Sequence, residues 1–272
     1  MKKIGFFIVL LATLSAIYSC NRSTDTEKYQ GKRNNIIDVR AKVMEIPTED
    51  DVLIGGNANL YLLRDKLIIG DGQSAEQQIH IFDKNSFRYL ASTAYRGQGP
   101  DEITLLGHIG IDEKRNKFYV SDHGKMKIFS YDMDSVLANP EHYSPSVKAE
   151  MNMTQFPSHY LYMSDTLSLT RLITPTSVST FEDGVAKWNI EKMTFEPMPY
   201  KHPDINKKRI TFAASPELGI YVECYSRHDL MTICDMDGNL KCNVYGPNWD
   251  NGSGKVKKHH YGEATFCGDK LI

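Results

Sequence analysis

Asn59, His108, His159, Arg209 and Glu263 stand at one recurring place in the chain, and all five are polar. Each opens a short apolar run. Asn59, His159 and Glu263 lie eight residues before a common anchor hydrophobe, Leu67, Leu167 and Leu271 respectively. His108 and Arg209 stand further from their anchors, Phe118 and Ile220, because longer turns intervene. If the fold brings the five together, Arg209 would take a carboxylate or phosphate, and the histidines would act as hydrogen-bond donors or ligands. Asn59, Glu263 and the two histidines would also supply oxygen and nitrogen donors for metal-assisted hydrolase or lyase chemistry of the lactonase kind. Such channels are ordinarily richer in Asp, Glu and Asn. The plainer account is that strand starts are exposed and therefore polar.

Other chemistry is thin. No Ser-His-Asp, Cys-His or paired-carboxylate pattern stands out, so the sequence singles out no catalytic residue, and no cofactor or resident metal is expected. His259-His260 would point to opposite faces of a strand and so would not share an ion. With Lys255, Lys257 and Lys258 they read as a solvated basic loop. Trp188, Trp249 and the 15 tyrosines would stack on sugars at a rim or pack between sheets. Cys224, Cys234, Cys242 and Cys267 fit no zinc spacing. They read as buried free thiols, although Cys234 and Cys242 would face each other in one register of the "DMDGN" hairpin.

The elements that must position these residues form a repeat. "DKLIIGD", "NKFYVSD", "DTLSLTR", "LGIYVEC" and "DKLI" each give a turn followed by an alternating strand. Their first strand hydrophobes are Leu67, Phe118, Leu167, Ile220 and Leu271, at intervals of 51, 49, 53 and 51. An earlier strand precedes each copy. Hairpins follow the first four, turning at Lys84-Asn85, Met133-Asp134, Glu191-Lys192 and Asp237-Gly238. Four antiparallel strands per unit of roughly 50 residues predict an all-β fold, a β-propeller of about four full blades with partial N- and C-terminal pieces.

"YRGQGPDEI", Tyr95 to Ile103, joins the outer strand of one copy to the inner strand of the next. It must cross three inter-strand gaps, about 14 Å at roughly 4.8 Å each, and its glycines and proline suit that turn. A phosphate-binding loop would instead open a helix. "YGPNWDNG" at Tyr245 is a degraded second copy. The connector Gly97-Gln98-Gly99-Pro100-Asp101-Glu102-Ile103 resembles the G-x-G-P-G-E-F connector of TolB-like six-bladed propeller lipoproteins of the Bacteroidetes type. Asp101 replaces the usual Gly and Ile103 the usual Phe. The resemblance covers Ile36 to Ile272 and implies a fold and a location more than an activity.

Residues 1–19 read as a lipoprotein signal peptide. Lys2-Lys3 precedes an apolar Ile4–Leu14 too short to span a bilayer, and "SAIYSC" resembles a lipobox ending at Cys20. That resemblance implies diacylglycerol on Cys20, several acyl chains in all, and a cell-envelope location, at the outer membrane. Residues 20–35, polar throughout, read as a flexible tether, and 36–272 as the propeller. Six blades would need roughly 300 residues. The chain is therefore either part of a six-bladed ring or a five-bladed ring closed by "NIIDVRAKVMEI" as an outer strand. A net charge of −2 gives no reason to expect nucleic acid. The expected partners are the membrane, through the anchor, and a protein or small envelope ligand held by a propeller face.

Overall fold

The computed structural model describes residues 24–33, 38, 40–47, 52–251, 253 and 259–272. Cys20 and the signal segment lie outside them, as do Asn35 to Ile37 and Val39 of the expected closing strand.

Four sheets, each built on a four-stranded antiparallel meander, follow one another along the chain, and the last gains a fifth strand at its edge. The first holds β2 (Asn59–Leu63), β3 (Lys66–Gly70), β4 (Gln77–Asp83) and β5 (Tyr89–Tyr95). The second holds β6 (Leu106–Asp112), β7 (Lys117–Asp122), β8 (Lys127–Asp132) and β9 (Ser146–Glu150). The third holds β10 (Phe156–Tyr162), β11 (Ser168–Pro175), β12 (Phe181–Asn189) and β13 (Thr194–Pro197). The fourth holds β14 (Ile210–Ser215), β15 (Ile220–Tyr225), β16 (Leu230–Asp235) and β17 (Leu240–Tyr245). A short hairpin, β18 (Phe266–Cys267) with β19 (Lys270–Leu271), follows. Within each sheet the strands pair in chain order, the meander of a propeller blade.

The alternation that makes each strand also makes the core. Ile68, Ile79 and Ile81 of the first sheet meet Ile109, Phe118, Val120 and Phe129 of the second in one buried cluster. Tyr119 and Ile128 of the second meet Tyr160, Tyr162 and Trp188 of the third. Leu169 and Val185 of the third meet Ile210, Phe212 and Tyr221 of the fourth. Trp188 thus packs between sheets, edge-on to Tyr160 with ring centroids 5.0 Å apart. Gly110 lets the inner strands approach: a Cβ there would lie 2.2 Å from the Tyr160 ring. The far face of the first sheet leaves Leu60 and Leu62 exposed.

Two local expectations are corrected. The second copy does not turn at Met133-Asp134. A helix, α1 (Met133–Ala138), starts there, and the outer strand is displaced to β9. Asp132 caps the helix by accepting from the Ser135 amide and hydroxyl, and Met133 and Val136 are buried in the first core cluster. The N-terminal region also supplies a different strand from the one expected. Arg40–Lys42 forms a 3₁₀ turn, whereas β1 (Glu27–Tyr29), inside the segment read as a tether, pairs in parallel with β17. Polar side chains hold it there. Glu27 accepts from the Asn243 amide at 3.1 Å and from the Tyr245 hydroxyl, and Tyr29 stacks on Tyr245 at 4.4 Å.

The connector after β5 is a corner. Ile103 returns to β5 through its amide to the Tyr95 carbonyl, 2.8 Å, and its side chain is fully buried. The place a phosphate would take is filled from within, because the Gly99 amide donates to the Glu102 carboxylate at 2.6 Å. Gly97 makes room for that carboxylate, since a Cβ there would lie 1.9 Å from it unless the Glu102 side chain moved. Lys125 ties the loop by donating to the Gly99 and Glu102 carbonyls. Pro100 is exposed at the tip.

Candidate functional site

The inner strands of the four sheets, with the segment before β18, converge on one open cavity of about 210 Å³. Its lining includes Asn59 and Tyr61 from β2, His108 from β6, His159 from β10, Thr211 and Phe212 from β14, Arg171 from β11, and Glu263. Four of the five residues singled out from the repeat, Asn59, His108, His159 and Glu263, therefore meet. Arg209 does not.

Arg209 sits one residue before β14, and its guanidinium lies 3.9 Å from the centroid of the Phe181 ring. Its Nη1 donates to the Lys208 carbonyl at 2.7 Å, and burial lowers its pKa. In the fourth sheet Thr211 and Phe212 face the channel instead. The channel's arginine is Arg171, opposite His159 in the β10–β11 register. It was missed because it lies on the second strand of its sheet. A signal was present: four residues beyond the anchor, the first three copies carry Asp71, Asp122 and Arg171. The two aspartates staple loops. Asp71 accepts the Gly55 and Gln73 amides, and Asp122 accepts those of Thr104 and Leu105.

Arg171 is held rigidly. Its Nε and Nη2 donate to the two oxygens of Asp183 at 2.9 and 2.8 Å, and Asp183, fully buried, also accepts the Ile210 amide. This fork fixes the guanidinium plane. Among the described residues, Nη1 has no hydrogen-bond partner.

The histidines divide their roles. His108 Nε2 donates to the Tyr160 carbonyl at 2.7 Å, which leaves Nδ1 to accept from the Tyr61 hydroxyl at 3.4 Å. Both nitrogens are engaged. Burial, then the neighbouring His159 ring, holds its pKa well below the usual histidine value. His159 lies 4.0 Å from His108, centroid to centroid, and 5.5 Å edge-on from Phe212. Burial, then the Arg171 charge, brings its pKa down to about 4, so its imidazole is neutral at neutral pH. Among the described residues its ring has no hydrogen-bond partner. Burial, with a contribution from Glu263, pushes Tyr61 up to about 12.

The site can therefore present a fixed cationic donor, a neutral imidazole, an amide and a carboxylate beside the faces of Tyr61 and Phe212. The donor set fits a metal ion poorly, because both His108 nitrogens are already used. Among the described residues, no three His, Cys, Asp or Glu side chains converge as a metal site. The four described cysteines lie elsewhere and are unbridged, but only Cys224 and Cys234 are the buried thiols expected: Cys242 is half-buried and Cys267 exposed. Cys234 pairs with Leu240 and Cys242 with Ile233, so the two do not face each other. Burial pushes the Cys224 thiol up to about 12 and the Cys234 thiol to about 11.

Successive four-stranded meanders around a polar channel define a β-propeller with its candidate site between the inner strands. Comparison with known families gives the particular one. The chain belongs to the six-bladed β-propeller family DUF5128, whose model matches residues 19–194. Among solved structures it is similar to a candidate exported protein from Bacteroides fragilis, at 15% identity and a TM-score of 0.51, over 82% of this chain and 60% of that one. It is also similar to a DUF4221 family member from Bacteroides vulgatus, at 9% identity and a TM-score of 0.49, over 71% of this chain and 59% of that one. The chain thus spans about three fifths of the length of these two structures. Among curated proteins, none matches it.

Proposed function

We propose that the protein is a membrane-anchored lipoprotein of the cell envelope, of the TolB-like kind, that works as a non-enzymatic binding module. It is held by acyl chains on Cys20 and takes a small envelope ligand or a segment of a partner protein at the channel mouth. The observation that carries this reading is the convergence on one cavity of Asn59 from the first blade, His108 from the second, His159 and Arg171 from the third, and Glu263 from the segment before β18. Polar groups fixed by neighbouring strands around a concave site suit recognition. Among the described residues, no activated nucleophile or acid-base pair accompanies them. The lipobox-like "SAIYSC" supports the anchor, and the exported description of the Bacteroides fragilis structure supports an envelope location. Among the described residues, no helix is long and apolar enough to cross a membrane.

The test is a pull-down of solubilised envelope fractions on the immobilised protein, paired with the His159→Ala/Arg171→Ala double variant. Because the variant leaves the buried Asp183 without its counter-ion and should melt lower, material retained by the wild type and lost from the variant, with circular dichroism showing the variant still folded at the assay temperature, supports the channel as the site. Equal retention would remove the site from the channel. Because His159 is neutral down to about pH 4, its share of the affinity should be flat between about pH 5.5 and 8.

A further inference from the structure

The N-terminal segment does more than connect. β1 adds to the outer edge of the fourth sheet, in the order β1-β17-β16-β15-β14, with Glu27, Lys28 and Tyr29 opposite Asn243, Val244 and Tyr245. Two further backbone bonds flank the ladder, from the Asn243 amide to the Thr26 carbonyl and from the Gln30 amide to the Tyr245 carbonyl. Four residues past β1, Arg33 donates to the fully buried carboxylate of Asp229 at 2.5 Å, and its guanidinium lies over the Tyr261 ring. The segment is fastened at both ends.

We propose that residues 27–33 are a strap that turns the outer rim of the fourth blade toward the bilayer and keeps the channel away from it. This rests on the lipid-anchor reading above. Only residues 21–26 separate the acylated Cys20 from β1. Even fully extended, six residues reach about 20 Å. The strap therefore replaces a 15-residue leash with a short link to one point on the rim. That point is four strand gaps from β14, about 19 Å at roughly 4.8 Å per gap, and β14 lines the channel. The link thus attaches the bilayer to the side of the propeller, and the mouth stays open to water and to partners. Lys28, Lys32 and Lys241 are exposed along this edge and would face anionic headgroups. Asp25 and Glu27 are the acidic residues of the segment, Glu27 being engaged by Asn243 and Tyr245, and Asp235 lies near Lys241.

The experiment uses the full-length acylated protein in vesicles of phosphatidylcholine and phosphatidylglycerol. Intact mass first establishes the acyl chains. A fluorophore is placed at Lys241→Cys on β17, or at Val147→Cys on β9, the outer strand of the second blade, with Cys242 and Cys267 replaced by serine. A quencher carried on lipid headgroups then reports proximity. The expected result is at least about threefold stronger quenching at 241 than at 147. Adding Tyr29→Ala with Arg33→Ala should release the strap and bring the two sites together. Acylated protein with equal quenching at both positions overturns the strap and leaves the anchor standing. Protein without acyl mass overturns both.

Discussion

Two corners of the molecule answer the same problem differently. At Tyr95–Ile103 the chain turns around a carboxylate of its own, Glu102, which accepts the Gly99 amide. That carboxylate and its donor lie three positions apart, and the loop is tied to the neighbouring strands by Lys125, by the Gln78 side-chain amide on the Ile103 carbonyl and by Arg96 on the Gly72 and Ser74 carbonyls. At Tyr245–Asn251 the turn closes on Asp229, from the start of β16. The Gly246 amide donates to the Asp229 carbonyl at 2.8 Å, and the Asn248 amide to its carboxylate at 3.0 Å. The same carboxylate takes Arg33 from near the N-terminus and the Tyr261 hydroxyl at 2.9 Å. The first corner is a local turn that positions the next blade. The second is a junction where three distant stretches meet on one buried charge. A sequence copy can thus be degraded as a motif while its place in the fold gains partners.

Substitutions should separate the two. Asp229→Ala should have the largest effect, a loss of about 3 kcal/mol in urea unfolding, because it leaves Arg33 and buried donors without their acceptor. It should also expose Arg33 to trypsin in the otherwise folded protein. Gly246→Ala should come next, at about 2 kcal/mol, since a Cβ would lie 2.0 Å from an Asp229 oxygen that several donors hold in place. Gly97→Ala should cost about 1 kcal/mol, because Glu102 is a longer side chain with room to swing away. Equal losses at the two glycines would break the distinction. Tyr29→Ala should be smallest, about 0.5 kcal/mol for a stacked ring at the edge, read from the same denaturation midpoint.

Acid sharpens the same contrast. Burial raises the Asp229 pKa, but the Asn248 amide, the Tyr261 hydroxyl and the Arg33 charge outweigh it, and the net shift is downward from 3.8. A carboxyl with a depressed folded pKa stabilises fully above its unfolded value, and that contribution is lost as pH falls through the folded one. The urea midpoint of the wild type should therefore fall as the pH drops below about 4. In Asp229→Asn, which lacks this carboxyl, the fall over the same range should be smaller.

The blades were legible because their cores are alternating apolar runs, and β2 spans the same five residues as its "NLYLL". Two features were not. β1 is written in "EKY", and its hold on β17 comes from a carboxylate, an amide and stacked phenol rings, with no alternation to betray it. The helix after β8 hid because "DMDS" reads equally as a hairpin turn and as a helix cap. At the channel, the positions read as strand starts gave four of the lining residues, although only Asn59 opens its strand: His108 and His159 lie within β6 and β10, and Glu263 precedes β18. Arg171 required knowing which second-strand residue stands opposite His159, and that depends on a register shift between Pro157 and His159.

The pairing of Glu27 with Asn243 spans 216 residues. Contacts so far apart in the chain form late, because the loop they close must first be ordered. β1 must wait, unpaired, while the blades between are made. The fourth blade keeps a bare edge until the N-terminal strand returns to it. The outer edge of that blade is thus the last ladder to zip and, on a native-state hydrogen-exchange map, should be among the first to open.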